Sequence, residues 1–482
     1  MLRVLAALAV AALVSVPAAG QPNEDPPDAT IFKLTTTPAA APVPAMRYEF
    51  VPRATERTHG NAALDYAHAA QLLPPWPEDP EESRALDVTL AEWEEASLDD
   101  FPVVAARAYL EKYADGFAAL DAAALRDHCV WRPGEAVRVF DPSCDTADIQ
   151  KLRQVVRLNR LRVRRDLARR NFDAAARAIR SGIRLAEHFG ERTNAVHLLV
   201  GVNFQSISWG DAIQFVGRPG APNLYWALVS LPRPLIDIRP GLDGEAAVFD
   251  AELPSVAELE KGAVAADVAD RAASKLYAAG AKWSGDFPPP APPACADLTA
   301  RVAKAAPTAR AFLVDHGRKA ADVETLPPAQ AVVLAVSYAR RVFREEQYTA
   351  FLRPYPQVWP EVERIERRST DFQKALADPL LTNIVAHEKG YAKVYHATSR
   401  VERQVSQLTA VEAVRLPAAA HNGQPPQRLA DVKAVPVPPD PYTGRPFEYA
   451  ARPDGFTLTA PPPAGERAHR GNSVRFEVTF RR

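Results

Sequence analysis

The stretch "VPPDPYTGRPFEYAARPDGFTLTA", residues 437–460, departs from the helical pattern that dominates the rest of the chain. Apolar residues alternate with polar ones on both sides of a Pro-Asp-Gly turn; they are Phe447, Tyr449, Phe456 and Leu458. Alternation with a period of two on either side of a short turn indicates a β-hairpin. The stretch "SVRFEVTF", residues 473–480, alternates in the same way and predicts a third strand.

A long helical pattern precedes this hairpin. Its apolar stripe runs from Ile384 to Val414 and stops near His421-Asn422-Gly423, a sequence suited to a left-handed helix end. An isolated hairpin is marginally stable in water, so we expect this helix to cover its apolar face. The predicted fold class is mainly α: a multi-helix body with a small C-terminal antiparallel β-sheet packed on a long helix.

The 482 residues exceed what one ordinary hydrophobic core holds, which predicts several regions. We predict a signal peptide at 1–20, a disordered Pro/Ala-rich tether at 21–55, a helical body at 56–378, and a long helix with a small sheet at 379–482. A proline-rich connector at 287–296, "FPPPAPPACA", is a candidate internal boundary.

The N-terminus has the pattern of an export signal. Arg3 precedes an almost entirely apolar run from Val4 to Val16, and small residues follow up to Gly20. A bilayer-spanning helix needs about 20 apolar residues, so cleavage near Gly20 is favoured over a retained anchor, although both stay open. No later segment is apolar for long enough to cross a membrane. We expect a periplasmic or secreted protein with no transmembrane helix after cleavage.

One helical pair resembles a tetratricopeptide-type hairpin. Asn171-Phe172-Asp173 stands at its turn, and Ala175 and Gly182 are small residues where helices approach. The first half of that motif is poorly matched. A generic helical hairpin is therefore the alternative interpretation.

The C-terminal region resembles a module of uncharacterised exported proteins of planctomycete-type bacteria and, more distantly, the globular tail of type II secretion pseudopilins. The matching positions are Asp440, Pro441, Gly444, Pro446, Phe447 and Tyr449. The segment "APNLYWALVSLPRPLID" extends the first likeness. Pseudopilins join the tail helix directly to the processed N-terminus, whereas here hundreds of residues intervene. The resemblance implies export and a fold, but no activity and no filament role.

No catalytic residue, metal site or cofactor follows from the sequence. It has no G-x-S-x-G elbow, Walker loop, Rossmann fingerprint or paired C-x-x-C motif. His387-Glu388 begins like a metalloprotease helix, but Tyr391 stands where the second histidine is needed. With 58 basic and 59 acidic side chains the chain is nearly neutral, which argues against nucleic-acid binding.

Two stretches are candidate binding surfaces. Four arginines recur at helical spacing in "KLRQVVRLNRLRVRRDLARR": Arg153, Arg157, Arg160 and Arg164. They predict either a solvated face paired with acids such as those of "EWEEASLDD", residues 92–100, or contact with an anionic surface. The second surface has large apolar and aromatic side chains at three consecutive positions, Leu224, Tyr225 and Trp226. Such a group predicts either a buried helix junction or a ligand platform.

Cysteine placement leaves two options open. Cys129 and Cys144 are able to form a short disulfide loop after export, or to remain two buried thiols. His128 beside Cys129 has the residue types of a nucleophile pair, but adjacent side chains diverge on regular backbone, which favours a structural role.

The sequence thus favours an exported, non-enzymatic structural or interaction protein of the cell envelope, whose partner is an envelope protein or an anionic surface. The alternative is an envelope-acting hydrolase whose acids, such as Glu92, Glu94 or Asp100, are brought together by folding. Converging carboxylates in a pocket, or a histidine oriented by an acid, would favour the hydrolase. Helix packing without them would favour the scaffold.

Overall fold

The computed structural model describes residues 29–131, 142–253, 256–282, 295–386, 389–463 and 466–481. The helices are Ala62–Gln71 (α1), Pro80–Glu95 (α2), Val103–Glu111 (α3), Ala114–Ala124 (α4), Pro142–Ala168 (α5), Phe172–Gly190 (α6), Ala195–Gly217 (α7), Tyr225–Val229 (α8), Arg239–Glu252 (α9), Val256–Leu259 (α10), Ala266–Lys282 (α11), Cys295–Asp315 (α12), Ala320–Glu324 (α13), Pro328–Phe351 (α14), Tyr355–Leu376 (α15), Pro379–Ala386 (α16) and Lys389–Ala420 (α17). The strands are Thr30–Thr36 (β1), Thr58–Asn61 (β2), Arg126–His128 (β3), Glu448–Arg452 (β4), Gly455–Ala460 (β5) and Val474–Phe480 (β6). The mainly α fold class predicted from the sequence is confirmed.

The chain divides into two compact units. Residues Leu242–His396 form one, here called the insert unit, and the described residues before and after this range form the main unit. The division coincides neither with the predicted boundary at 378/379 nor with the predicted connector at 287–296, most of which lies outside the described residues. Because α17 continues without a break through His396, its periodicity carries no sign of the boundary.

The principal sheet has the strand order β1-β6-β5-β4. The predicted hairpin and third strand are present, since β4 pairs with β5 and β5 with β6, both antiparallel. The sheet has a fourth strand that was not predicted, because β1 pairs in parallel with β6, with Thr30 opposite Val474 and Thr36 opposite Phe480. The prediction of a disordered tether over residues 21–55 is therefore wrong for residues 30–36.

The long helix covers the sheet in the predicted way. Gln407 of α17 donates from its amide nitrogen to the carbonyl oxygens of Leu458 in β5, at 3.0 Å, and Val474 in β6, at 3.1 Å. Arg403, one turn earlier, binds both carboxylate oxygens of Asp440 at 2.8 and 2.6 Å. These contacts fix the helix, the strands and the Asp-Pro turn in one arrangement.

Left-handed residues follow the ends of α15 and α17. Ala377 takes a left-handed conformation (φ 55°) after α15, and α16 begins at Pro379. After α17, Asn422 and Gly423 are both left-handed, as the expected stop requires. The segment after Pro102 forms two helices, α3 and α4.

The α5–α6 pair is a helical hairpin whose turn contains Asn171. The Asn171 side chain accepts a hydrogen bond from the Ala174 amide at 3.3 Å, which caps α6. A Cβ added at Gly182 would lie 2.7 Å from the Ser208 hydroxyl of α7, so a larger residue there would have to displace that side chain. The hairpin is present, while its tetratricopeptide-type resemblance stays a prediction.

Each unit has its own apolar core. In the main unit one core cluster joins residues of α1 to α7, including Tyr66, Phe117 and Phe204. In the insert unit a cluster joins α11, α12, α14 and α16, including Val332 and Ile384. Among the described residues, no helix is both long and apolar enough to cross a membrane.

Candidate functional site

The arginine stripe lies on α5 and is paired inside the main unit. Arg157 lies between two acids of α2, with its Nη1 2.5 Å from Asp87 and its Nε 3.3 Å from Glu94. Only 17% of the Arg157 side chain is exposed. Glu94 belongs to the acidic stretch that the sequence suggested as a partner.

Arg164 is the most deeply buried member of the stripe, at 3% exposure. Its guanidinium donates to the carbonyl oxygens of Trp93, at 3.0 Å, and Ala96, where α2 ends, and to Gln214 on α7 at 2.7 Å. Burial lowers the pKa of Arg164 to about 10 and also lowers the pKa of half-buried Arg153. This geometry favours internal pairing over contact with an anionic surface.

Arg160 faces an acid that sequence reasoning missed. Its Nε lies 3.8 Å from Oδ1 of Asp211, which is only 2% exposed. Burial raises the pKa of Asp211 to about 7, while Arg160 and Arg164 oppose that rise. Asp211 is the one acidic residue in α7, a helix that also lacks lysine and arginine. In the sequence, this single acidic residue in an otherwise uncharged helix was the signal that could have identified Asp211 as a buried acid.

The aromatic junction is mostly interior. Leu224 and Tyr225 are buried, Trp226 is partly buried, and the Tyr225 and Trp226 rings meet edge to face at 5.2 Å. The Tyr225 hydroxyl donates to the carbonyl oxygen of Pro436 at 2.6 Å. These contacts favour the interpretation as a structural junction rather than a ligand platform.

A fully buried ion pair lies close to this junction. Glu412 and Arg415, one turn apart on α17, bind through both carboxylate oxygens at 2.8 and 2.9 Å, and neither side chain is exposed. Arg415 also donates to the carbonyl oxygens of Thr37 and Ala221. The pair joins α17 to the segment after β1 and to the segment before α8.

Cys129 is partly buried in the structure. It packs with the core cluster of the main unit, and burial raises its pKa to about 12. The side chain of Cys144 lies outside the described residues, so the Cys129–Cys144 bridge stays a prediction. The neighbouring His128 binds Asp127 at the surface, so the adjacent pair diverges as expected.

The strand pair β2–β3 brings together a carboxylate and two imidazoles. Asp127 lies between them, with Oδ2 2.9 Å from Nδ1 of His59 and Oδ1 2.7 Å from Nδ1 of His128. Hydrogen bonds from His59, His128 and the Gly60 amide hold the pKa of Asp127 well below its usual range. The His59 and His128 side chains are 92% and 47% exposed, so this group is open to solvent.

A further histidine, His188, is buried inside the main unit. Nδ1 of His188 is 2.9 Å from the Tyr66 hydroxyl, and Nε2 is 2.7 Å from a guanidinium nitrogen of Arg184. Because Arg184 only donates, Nε2 accepts and the ring proton lies on Nδ1. Burial, reinforced by Arg184, lowers the pKa of His188 to about 3. This imidazole is held neutral and is a structural link between α1 and α6.

The acids considered for a hydrolase are dispersed. Glu94 pairs with Arg157, and the Asp100 carboxylate accepts a hydrogen bond from Ser97 within the same turn. Glu92 has an exposed side chain on α2. These contacts give no pair of converging carboxylates among the three.

The insert unit contains a cavity of about 520 Å³ beside α12 and the α15–α16 turn. Its charged lining consists of Asp297, Arg301 and Lys304 from one face of α12, and Asp378 from the turn. Arg301 binds Asp378 at 3.1 Å. Sequence reasoning missed this site because its two walls are far apart in the chain.

Within the described part of the chain, no group of three or more His, Cys, Asp or Glu residues is arranged to hold a metal ion. His387 and Glu388, which begin like a zinc motif, lie outside that part. No protein-family model matches the chain, and neither a curated protein nor a solved structure shows significant similarity to it.

Proposed function

We propose that this chain is an exported, non-enzymatic structural or interaction protein of the cell envelope. The proposal rests on the arginine stripe of α5, whose side chains bind other residues of the main unit. Arg157 and Arg164 bind α2 through side-chain and carbonyl oxygens, so they serve to fix helices rather than to hold a substrate. The buried Glu412–Arg415 pair acts in the same way at another junction.

Export is the part of the proposal that rests on the N-terminal sequence. Residues 1–30, fused to a reporter enzyme that is active only outside the cytoplasm, should give activity in a bacterial host. N-terminal sequencing of the full-length protein should begin directly after Gly20. The matched control replaces Leu8 and Leu13 with arginine, which interrupts the apolar run. Reporter activity that is equal with and without these changes would refute export by this signal.

A partner protein follows from the scaffold role. The α5–α6 hairpin, if tetratricopeptide-like, is one helical repeat unit, and such units present helix faces to peptides or other proteins. Cross-linking of the exported protein in intact cells should give a defined adduct. A chain that stays uncross-linked and monomeric in its own envelope fraction would count against an interaction role.

The second candidate, a hydrolase, is favoured by one observation, the orientation of His59 and His128 by Asp127. A carboxylate that orients an imidazole is the usual arrangement of a general base. The test compares the mature protein with His59→Ala and His128→Ala on envelope glycans and peptides. Turnover that both substitutions reduce at least about 100-fold would establish the hydrolase, and turnover that neither changes, or none at all, would exclude this site.

A further inference from the structure

The cavity in the insert unit has the dimensions of a ligand site. Its volume of about 520 Å³ lies within the range of roughly 300–1,000 Å³ that small-molecule pockets occupy. One wall is a single face of α12, because Asp297, Arg301 and Lys304 follow each other at intervals of four and three residues. The opposite wall is the turn at Ala377 and Asp378.

The turn is fixed before any ligand is bound. Ala377 adopts a left-handed conformation, and Asp378 caps α16 by accepting a hydrogen bond from the Leu380 amide at 3.0 Å. The same carboxylate binds Arg301 through its other oxygen, and this hydrogen bond raises the pKa of Arg301. Asp378 thus holds α16 and positions the guanidinium at the cavity wall.

The charged groups of the cavity differ in how many hydrogen bonds they already make within the protein. Arg301 is 44% exposed and has four further N–H donors beyond the one that binds Asp378. Lys304 and Asp297 lie on the same helix face with exposed side chains. A carboxylate group would therefore meet Arg301 and Lys304, and an ammonium group would meet Asp297.

The sum of these charges selects the class of ligand. Two cations and two carboxylates line the cavity, so its net charge is zero. A purely anionic molecule meets two acids and a purely cationic molecule meets two bases, whereas a molecule that carries one charge of each sign complements both. Ala300, Leu376 and Ala377 add an apolar lining.

We propose that this cavity binds a small zwitterion with an aliphatic side chain, namely a free α-amino acid or a short peptide. Arg301 and Lys304 receive the ligand carboxylate, Asp297 receives its ammonium group, and the apolar lining receives the side chain. The inference concerns a binding site only and does not depend on export or on the scaffold role.

Calorimetric titration of the full mature chain with three matched compounds tests the proposal. L-leucine carries both charges, 4-methylpentanoate lacks the ammonium group, and 3-methylbutylamine lacks the carboxylate. We expect L-leucine to bind at least about tenfold more tightly than either analogue. Equal binding of 4-methylpentanoate would mean a simple anion site and would overturn the proposal. Absence of binding by both L-leucine and L-alanyl-L-leucine at about 10 mM would also overturn it.

Substitutions then assign the site. Lys304→Met and Asp297→Asn should each weaken L-leucine binding by about tenfold or more, while Lys304→Arg retains it. Lys275→Met on α11 is the control, since Lys275 is an exposed lysine that is absent from the cavity lining. These positions are exposed, so unchanged circular dichroism is expected for every variant. Binding that survives both Lys304→Met and Asp297→Asn would place the ligand elsewhere.

Discussion

At the scale of single residues, the stability of the main unit depends on buried ion pairs. Arg403 and Asp440 are each 1% exposed, and the guanidinium also donates to the carbonyl oxygens of Asn472, at 2.5 Å, and Pro461. Desolvating two ions is costly, and such a pair is tolerated only when the remaining donors are satisfied. Here the hydrogen bonds of the Arg403 guanidinium connect α17, the Asp-Pro turn and the loop before β6.

Arg403→Ala should therefore be strongly destabilising. The substitution leaves the Asp440 carboxylate buried without its partner, so we expect the free energy of unfolding to fall by about 3–5 kcal/mol in urea unfolding experiments. Arg445→Ala, at an exposed position near the same turn, should change it by less than about 0.5 kcal/mol. Indistinguishable midpoints for the two variants would show that the buried pair adds nothing.

Asp211 should make stability depend on pH. Its folded pKa of about 7 lies above the value of about 3.9 expected in the unfolded chain. Between these two values the folded state holds a proton that the unfolded state has lost, so the free energy of unfolding falls as pH rises from about 4 to 7. The facing groups are Arg160, Arg164 and Glu94.

Asp211→Asn removes this titration. Unfolding midpoints measured from about pH 4 to pH 8 should then depend less steeply on pH than those of the unsubstituted protein, and at pH 8 the variant should be at least as stable. Asp115→Asn, at an exposed position on α4, should keep the original slope. A variant with unchanged slope, or one that is less stable throughout, would contradict the assignment.

One charge pairing within the main unit was predicted from the sequence. The acidic stretch after residue 91 was named as a partner of the arginines, and Glu94 does pair with Arg157. The degree of burial was not predictable, because helical spacing does not distinguish a solvated stripe from one covered by another helix. The α12 cavity was missed because no charge pattern in the sequence links Arg301 to Asp378, which lies 77 residues away.

At the scale of elements, close helix approach depends on glycine. A Cβ on Gly201 of α7 would lie 2.3 Å from the Cα of Gly190 in α6 and 2.8 Å from the Ala186 carbonyl oxygen. These are backbone atoms, which cannot move aside as a flexible side chain can. The α6–α7 crossing is therefore specified by a pair of glycines.

Two alanine substitutions in α7 should have opposite effects. Gly201→Ala should lower the free energy of unfolding by about 1–3 kcal/mol, because the helices must separate. Gly210→Ala should raise it by about 0.5–1 kcal/mol, since no heavy atom lies within 4 Å of the added Cβ and alanine favours helix. Thermal unfolding followed by circular dichroism distinguishes them. Stabilisation by both substitutions would disprove the tight crossing.

Elements that form from neighbouring residues were predictable. The hairpin around residues 453–455 and the α17 stop at Asn422-Gly423 follow from turn and cap chemistry. Strand β1 was not predictable, because threonines and nearby prolines resemble a linker in composition. Its partner is remote: the Thr30 hydroxyl donates to the Arg470 carbonyl across 440 residues.

At the scale of the whole molecule, the division into main and insert units predicts two unfolding transitions. Each unit has its own core, so two-state behaviour is not expected for the full chain. Gly280→Ala is a probe for the insert unit, because the added Cβ would lie 1.7 Å from the Leu380 carbonyl oxygen.

Differential scanning calorimetry should show which unfolding transition belongs to which unit. Gly280→Ala should lower the midpoint of one transition, and Gly201→Ala should lower the midpoint of the other, because each perturbs packing within one unit only. A single transition that both substitutions shift equally would mean that the two units unfold as one. No sequence pattern predicted the boundary between the two units at His396, because it falls inside the continuous helical periodicity of α17.

The parallel pairing of β1 with β6 has a consequence for biosynthesis. Strand β1 needs β6, which is synthesised much later, as its neighbour, so the main unit completes this sheet only after β6 has emerged from the ribosome. The insert unit is contiguous in sequence and can pack earlier. Chains terminated before Val474 would leave β1 unpaired beside an incomplete sheet, and such truncated products should aggregate or be degraded.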